Sequence, residues 1–248
     1  MGADDFYPTE KGMEAFVWGR NGIRMPVAAE TMAKIRKDPM IHVMMHPVIQ
    51  HKITLARKAE TGKRDMRELV REIATLIFYE MTRNLSLQTI MVETPLEKTE
   101  APELSGKKPV LVKILRAGDT MVDAVLDMMM PSAKVGTIGM HRNPDDIEHP
   151  VVYFHKMPED MPEREAFILD PMLATGWSAA EAIRLLKEYG CKKIHFACIF
   201  SVWEGIEVLR REHPDVDLYL GVVDKGLNEN YYIVPGAGDM GDRLDGTK

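Results

Sequence analysis

From residue 110 onward, short apolar runs alternate with amphipathic stretches. Val110–Leu115, Val135–Met140, Val151–His155, Ala166–Leu169, Lys193–Ile199 and Leu218–Val223 are short and rich in aliphatic residues. They predict six strands, the first with a lysine inside it. Between them the spacing turns helical over Asp119–Met130, Ser178–Tyr189 and Glu204–His213. Pro131 stops the first of these helices, and Gly190 stands as the C′ residue of the second. Strand–turn–helix units of this size predict an α/β fold, a mostly parallel twisted sheet flanked by helices. Ligands of such sheets sit beyond the carboxyl ends of the strands. That rule directs attention to the loops after residues 115, 140, 169 and 223.

Upstream, the clearest helix spans Asp65–Arg83. Leu69, Ile73, Leu76, Ile77 and Glu80 recur at helical spacing, with Arg67, Glu68, Arg71 and Glu72 largely opposite. Residues 94–109 contain Pro95, Pro102, Gly106, Lys107 and Lys108 and read as an exposed connection. Residues 1–45 are broken by Pro8, Gly12, Gly19, Gly22 and Pro26, with a short helix over Glu30–Lys37 before Pro39. The apolar cluster Met40, Ile41, Val43, Met44 and Met45 predicts that this segment packs on something. The expected organisation is an N-terminal, partly helical extension over 1–45 and one domain over 46–248. The extension is expected to be structural, with a dimer arm or a lid as the alternative.

Composition narrows the class. The 248 residues are 45% hydrophobic, and a chain of this size can bury about 73% of its unfolded surface. A formal net charge of −6 argues against a broad nucleic-acid surface, though not against a local basic pocket. Cys191 and Cys198 make neither a disulfide framework nor a zinc ligand set. They read as small buried hydrophobes in a reducing compartment. His42, His46 and His51 are four and five residues apart, a spacing that does not define a metal site. Asp4, Asp5, Glu10 and Lys11 leave no room for a signal peptide. Phe6 stands where a myristoylation motif wants Ser or Thr. No apolar segment approaches the ~20 residues of a membrane span. The expectation is a cytoplasmic protein with no membrane or nucleic-acid partner.

The chemistry concentrates at Phe167–Ser178, where a strand ends in Asp170 and Pro171-Met172-Leu173-Ala174-Thr175-Gly176-Trp177-Ser178 leads into a helix. Free N–H groups at a helix start, with small hydroxyl residues beside them, suit a phosphate dianion. A carboxylate at the strand end suits sugar hydroxyls. The plainer alternative is that Thr175 or Ser178 only caps the helix. Arg116, in Leu115-Arg116-Ala117-Gly118, follows one buried strand, and Arg142, in His141-Arg142-Asn143, follows the next. The tail Tyr232–Arg243 carries Pro235, Gly236, Gly238 and Gly241 and reads as neither strand nor helix. Its exposed backbone could read the edge of a planar base.

These motifs together resemble the uracil phosphoribosyltransferases over about residues 46–248. His46–Lys52, Arg67–Val70, Glu93–Pro95, Ile114–Gly118, Asp170–Ser178, Leu227-Asn228 and Tyr232–Arg243 occur in that family's order, followed by Gly246-Thr247-Lys248. The resemblance implies a type I phosphoribosyltransferase-like fold with a C-terminal base-binding loop. It implies transfer of ribose 5-phosphate from 5-phosphoribosyl 1-diphosphate (PRPP) to uracil, giving UMP and diphosphate in pyrimidine salvage. It gives PRPP contacts to Arg116, Arg142, Asp170, Pro171, Met172, Leu173, Ala174, Thr175, Gly176, Trp177, Ser178 and Asp239. Uracil contacts fall to Ile233, Gly238, Asp239 and Met240, and Asp170, Arg116 and Asp239 are the expected catalytic set. Mg²⁺ is expected to travel with PRPP rather than in a protein cage. A homodimer or larger homo-oligomer and a GTP effector are also implied. The sequence departs from the family pattern at Asp119, Trp177, Val202–Gly205, Tyr231 and Met240. The last two lie beside the base motif, so a different base is one alternative, and a PRPP-binding regulator without turnover is another.

Overall fold

The computed structural model describes residues 6–7, 16–18, 23–143 and 145–247, with side chains from Met25 onward. Strands β1 (Phe6–Tyr7), β2 (Phe16–Trp18) and β3 (Ile23–Met25) pair antiparallel as a small sheet. Helix α1 (Ala29–Lys37) and strand β4 (Ile41–Val43) follow, then α2 (Pro47–Arg57) and α3 (Lys63–Met81). Next come β5 (Leu87–Glu93), β6 (Lys98–Leu104), β7 (Val110–Leu115), α4 (Gly118–Met128), β8 (Lys134–His141) and β9 (Val151–Lys156). The remainder runs β10 (Glu165–Leu169), β11 (Met172–Leu173), α5 (Trp177–Glu188), β12 (Lys193–Val202), α6 (Trp203–Glu212) and β13 (Asp217–Asp224). It closes with β14 (Gly226–Leu227), β15 (Ile233–Val234) and α7 (Met240–Asp245).

The main sheet has the order β4-β13-β12-β10-β7-β8-β9, with β11 added on β12. All its pairings are parallel except β9 on β8. Strands β7, β10, β12 and β13 are buried almost throughout, because helices cover a parallel sheet on its faces and leave it no wet side. Helix α3 buries Met66, Leu69, Val70, Ile73, Ala74, Ile77, Phe78 and Met81 as one stripe. Fully buried side chains of that kind contribute about 1.5–3 kcal/mol each. Cys191 and Cys198 are free and buried, Cys198 in the middle of β12.

The six predicted strands and five predicted helices form, with ends displaced by a few residues at most. The breaks expected at Pro8, Gly12, Gly19 and Gly22 lie outside the described residues. The cluster around Ile41 packs by adding β4 to the edge of the main sheet beside β13. Two expectations need correction. The stretch read as a connection over 94–109 is half of an antiparallel hairpin in which Leu87 faces Leu104 and Glu93 faces Lys98. Thr94 makes its turn, bonding Glu97 through backbone and hydroxyl. Pro102 is tolerated because the two-stranded hairpin is all edge. The tail read as neither strand nor helix contains β15, paired with β14, and the helix α7. Asp239 starts that helix by accepting the Asp242 N–H at 3.0 Å, a capping pattern hidden among glycines.

Candidate functional site

Strands β10, β7 and β8 are neighbours and parallel, so their carboxyl ends deliver Asp170, Arg116 and Arg142 to one edge of the sheet. A cleft of about 360 Å³ opens there. Arg116, Arg142, Asp170, Met172, Leu173, Ala174, Thr175, Gly176 and Ser178 line it, as do Ile233, Gly238, Asp239 and Met240. Two members of the expected PRPP set are not on its wall. Pro171 is buried, and its carbonyl accepts the N–H groups of Ile199 and Phe200 at 3.0 Å each. Trp177 points elsewhere, with the Arg211 guanidinium 5.2 Å from its ring centroid.

The loop from Asp170 to Ser178 is shaped by backbone contacts. β11 pairs with β12, and Gly176 turns the chain into α5 at φ +86°. A Cβ on Gly176 would lie 2.7 Å from the Gly205 carbonyl, and one on Gly205 would lie 2.5 Å from the Ala174 carbonyl. The loop therefore sits directly on the start of α6, at a distance only two glycines allow. No side chain caps α5. Neither Thr175 nor Ser178 closes off the helix start, so its first N–H groups and the positive end of its dipole face the cleft.

Asp170 is half-buried at the end of β10. Loss of water pushes its carboxyl up to about 7, against the opposing pull of the Met172 N–H and the Arg142 charge. Arg116 follows a cis Leu115–Arg116 peptide. Its guanidinium reaches Asp245 at 3.1 Å and Asp242 at 3.4 Å, both on α7. Asp119, one of the departures, is drawn away by Lys113 at 2.6 Å. Arg142 stands with its guanidinium 6.0 Å from the Tyr232 ring centroid, so the two expected arginines flank the tail from different strands.

The tail is held by residues that motif reading missed. The Asp224 carboxylate, fully buried at the end of β13, pairs with the Arg57 guanidinium and accepts the Gly236 N–H at 3.0 Å. Arg57 also donates to the Gly236 carbonyl at 2.9 Å. Arg243 donates to the carbonyls of Ala56, Lys58, Thr61 and Ala237 at 2.7–3.1 Å. A signal existed for two of the three. Arg57 continues the apolar stripe Ile49–Ile53 of α2, where a cation needs a partner, and Asp224 ends a predicted strand at the ligand edge.

The departures near the base motif divide. Tyr231 and Met240 line the cleft. Tyr231 does so at φ +60°, the one non-glycine of the described residues with a positive φ. Asn228 steadies that turn through its Oδ1, which accepts the Asn230 and Tyr232 N–H groups at 3.0 and 2.9 Å. Trp203 is not on the wall and lies under the Lys34 ammonium at 5.5 Å. Two of the three histidines, His42 and His46, have structural partners. His46 caps α2 through the Val48 N–H, and His42 sits 2.9 Å from Asp217 and stacks on Tyr219. Among the described residues, no helix is long and apolar enough to cross a membrane.

The chain matches the family described as uracil phosphoribosyltransferase over residues 43–247. It is 52% identical to a uracil phosphoribosyltransferase of Exiguobacterium sibiricum over 208 residues, covering 84% of this chain and 99% of that protein. Identity to the protein of the same name from Anoxybacillus flavithermus is 50%, with the same coverage. Among solved structures, the AQ2163 protein of Aquifex aeolicus superposes with a TM-score of 0.78 at 32% identity, over 82% of this chain and 97% of that one. An adenine phosphoribosyltransferase of Trypanosoma brucei shares the fold at a TM-score of 0.52 and 12% identity, over 81% of this chain and 89% of that one.

Proposed function

The chain belongs to the uracil phosphoribosyltransferase family, and we propose that it transfers the ribose 5-phosphate of PRPP to uracil, releasing diphosphate. The observation that carries this reading is the uncapped start of α5, opening into a cleft walled by Asp170, Arg116 and Arg142. The backbone N–H groups and hydroxyls from Thr175 to Ser178 take the 5-phosphate dianion. Asp170 accepts the ribose hydroxyls. Arg116 and Arg142 grip the diphosphate, each able to place two N–H groups on phosphate oxygens.

Departure of diphosphate leaves positive charge on the ribose, as in glycoside chemistry. The barrier falls when leaving-group charge is met by donors already in place and the base is held at the sugar. Arg116 and Arg142 supply the first requirement. The second falls to the tail, where Ile233 and the backbone from Gly238 to Met240 read the base edge and Asp239 faces the PRPP. Cytosine presents one donor–acceptor pair reversed to such an edge and is refused. Magnesium fits as a companion of the substrate. Asp170 and Asp239, both on the cleft wall, are the carboxylates that would hold it, with diphosphate oxygens and water as its other ligands. The ion would neutralise charge on the leaving group.

The hairpin β5–β6 supports a homodimer. Leu87, Met91 and Leu96 are 62%, 65% and 95% exposed on it, and a lone two-stranded hairpin is marginal in water, so a second copy covers it. Met91→Lys should shift the mass measured by light scattering toward the monomer. Cytoplasmic residence agrees with two free buried cysteines. GTP as an effector is tested by its effect on the same turnover assay. That assay follows diphosphate release from PRPP and Mg²⁺ with a panel of bases. Release with uracil alone is the expected result, release only with another base transfers the reading to that base, and PRPP binding without release points to a sensor.

A further inference from the structure

We propose that Asp242 and Asp245 on α7 are positioning residues that couple the diphosphate site to the base site, by holding Arg116 until diphosphate displaces them. The inference rests on the reading of Arg116 as a diphosphate ligand. Helix α7 starts at the tail residues that line the base end of the cleft, with Asp239 as its cap. Its carboxylates then reach back to the diphosphate loop, Asp245 at 3.1 Å and Asp242 at 3.4 Å from the Arg116 guanidinium. The guanidinium lies along the helix, with Nη2 3.5 Å from where a Cβ on Gly241 would stand.

Asp242 and Asp245 differ in what else holds them. Asp242 also accepts the Thr247 hydroxyl at 2.6 Å. Asp245 lies 3.5 Å from Arg67, whose Nε donates to the Leu244 carbonyl at 2.7 Å. Arg67 thus anchors the carboxyl end of α7 whether or not Arg116 stays. Diphosphate and this acid pair compete for one guanidinium, and the pair also repels the diphosphate. The same two ion pairs steady the amino end of α7 at the base end of the cleft, so releasing Arg116 loosens that end. Removing one carboxylate should therefore strengthen diphosphate binding and loosen the base site together.

The Asp245→Asn variant tests this, because its amide keeps the shape and loses the charge. Titration calorimetry with Mg²⁺-diphosphate should show binding tightened about two- to fivefold, the scale of a half-exposed ion pair. Steady-state kinetics should show KM for PRPP lowered and KM for uracil raised, and Asp245→Glu should restore both. A merely structural lesion would move the two constants the same way. Equal or weaker diphosphate binding by Asp245→Asn, or both KM values rising together, would overturn the coupling while leaving Arg116 a diphosphate ligand. Wild-type protein that binds no diphosphate would remove that assignment and this inference with it.

Discussion

Asp170→Asn is predicted to raise stability and lower activity, in a manner that depends on pH. The folded protein pushes the Asp170 carboxyl from 3.8 up to about 7. Between those values the folded state keeps a proton that the unfolded state has lost, so stability falls as pH rises through that window. Holding the carboxyl near 7 instead of 3.8 corresponds to about 4 kcal/mol at most. Asp170 is only half-buried, so water reaching the cleft reduces this to about 2 kcal/mol. An asparagine fits the same space without the charge. Thermal unfolding at pH 8.5 should therefore place the variant about 4–8 °C above wild type, for a chain of this length. At pH 5 the wild-type carboxyl is protonated and the gap should nearly vanish. The same desolvation makes the carboxylate ready for ribose hydroxyls, so kcat/KM for PRPP should fall about 100-fold in the variant. For wild type it should fall as pH drops below about 7. An equal thermal gain at both pH values, or none at pH 8.5, would refute the reasoning.

Asp224→Asn breaks a buried pair with Arg57 and should cost about 3–5 kcal/mol in urea unfolding, with uracil KM raised more than PRPP KM because the tail hangs on that carboxylate. Gly205→Ala puts a methyl 2.5 Å from the Ala174 carbonyl; the phosphate loop must move, and calorimetry should show PRPP binding weakened by at least an order of magnitude in a folded protein. Tyr231→Gly relieves a φ of +60° and should add about 1 kcal/mol of stability, with PRPP KM unchanged and the range of bases accepted widened.

The sheet was legible because parallel strands buried on both faces must be apolar along their length, and Val110–Leu115 and Ala166–Leu169 are. The ligand edge followed from topology alone. The positions of Arg116, Arg142 and the Asp170–Ser178 loop needed only the order of those strands. Illegible parts share one physical character, in that their structure depends on partners distant in sequence. Residues 98–104 read as polar and broken until paired with 87–93. Arg243 looks like a tail charge until its guanidinium is seen satisfying carbonyls from α2 and the turn after it. Asp119 departs from the family pattern close to Arg116, and only the approach of Lys113 shows where its charge goes.

An acidic chain with a formal charge of −6 still offers a site for a polyanion because binding here is short-ranged. At physiological salt, charges more than about 8 Å apart are largely screened, so the surplus of carboxylates over the rest of the surface matters little at the cleft. What acts there are two guanidiniums and one helix start, all at the carboxyl edge of the sheet. Asp170 and Asp239 face the cleft, and three other carboxylates near this edge are spent locally. Asp119 meets Lys113, and Asp242 and Asp245 meet Arg116. Only a ligand carrying more charge at closer range than those side chains can displace the last pair. A diphosphate bearing several charges on adjacent phosphorus centres meets that condition better than a single phosphate. Under the coupling proposed above, discrimination between the two belongs to the acidic residues of α7 as much as to the arginine they hold.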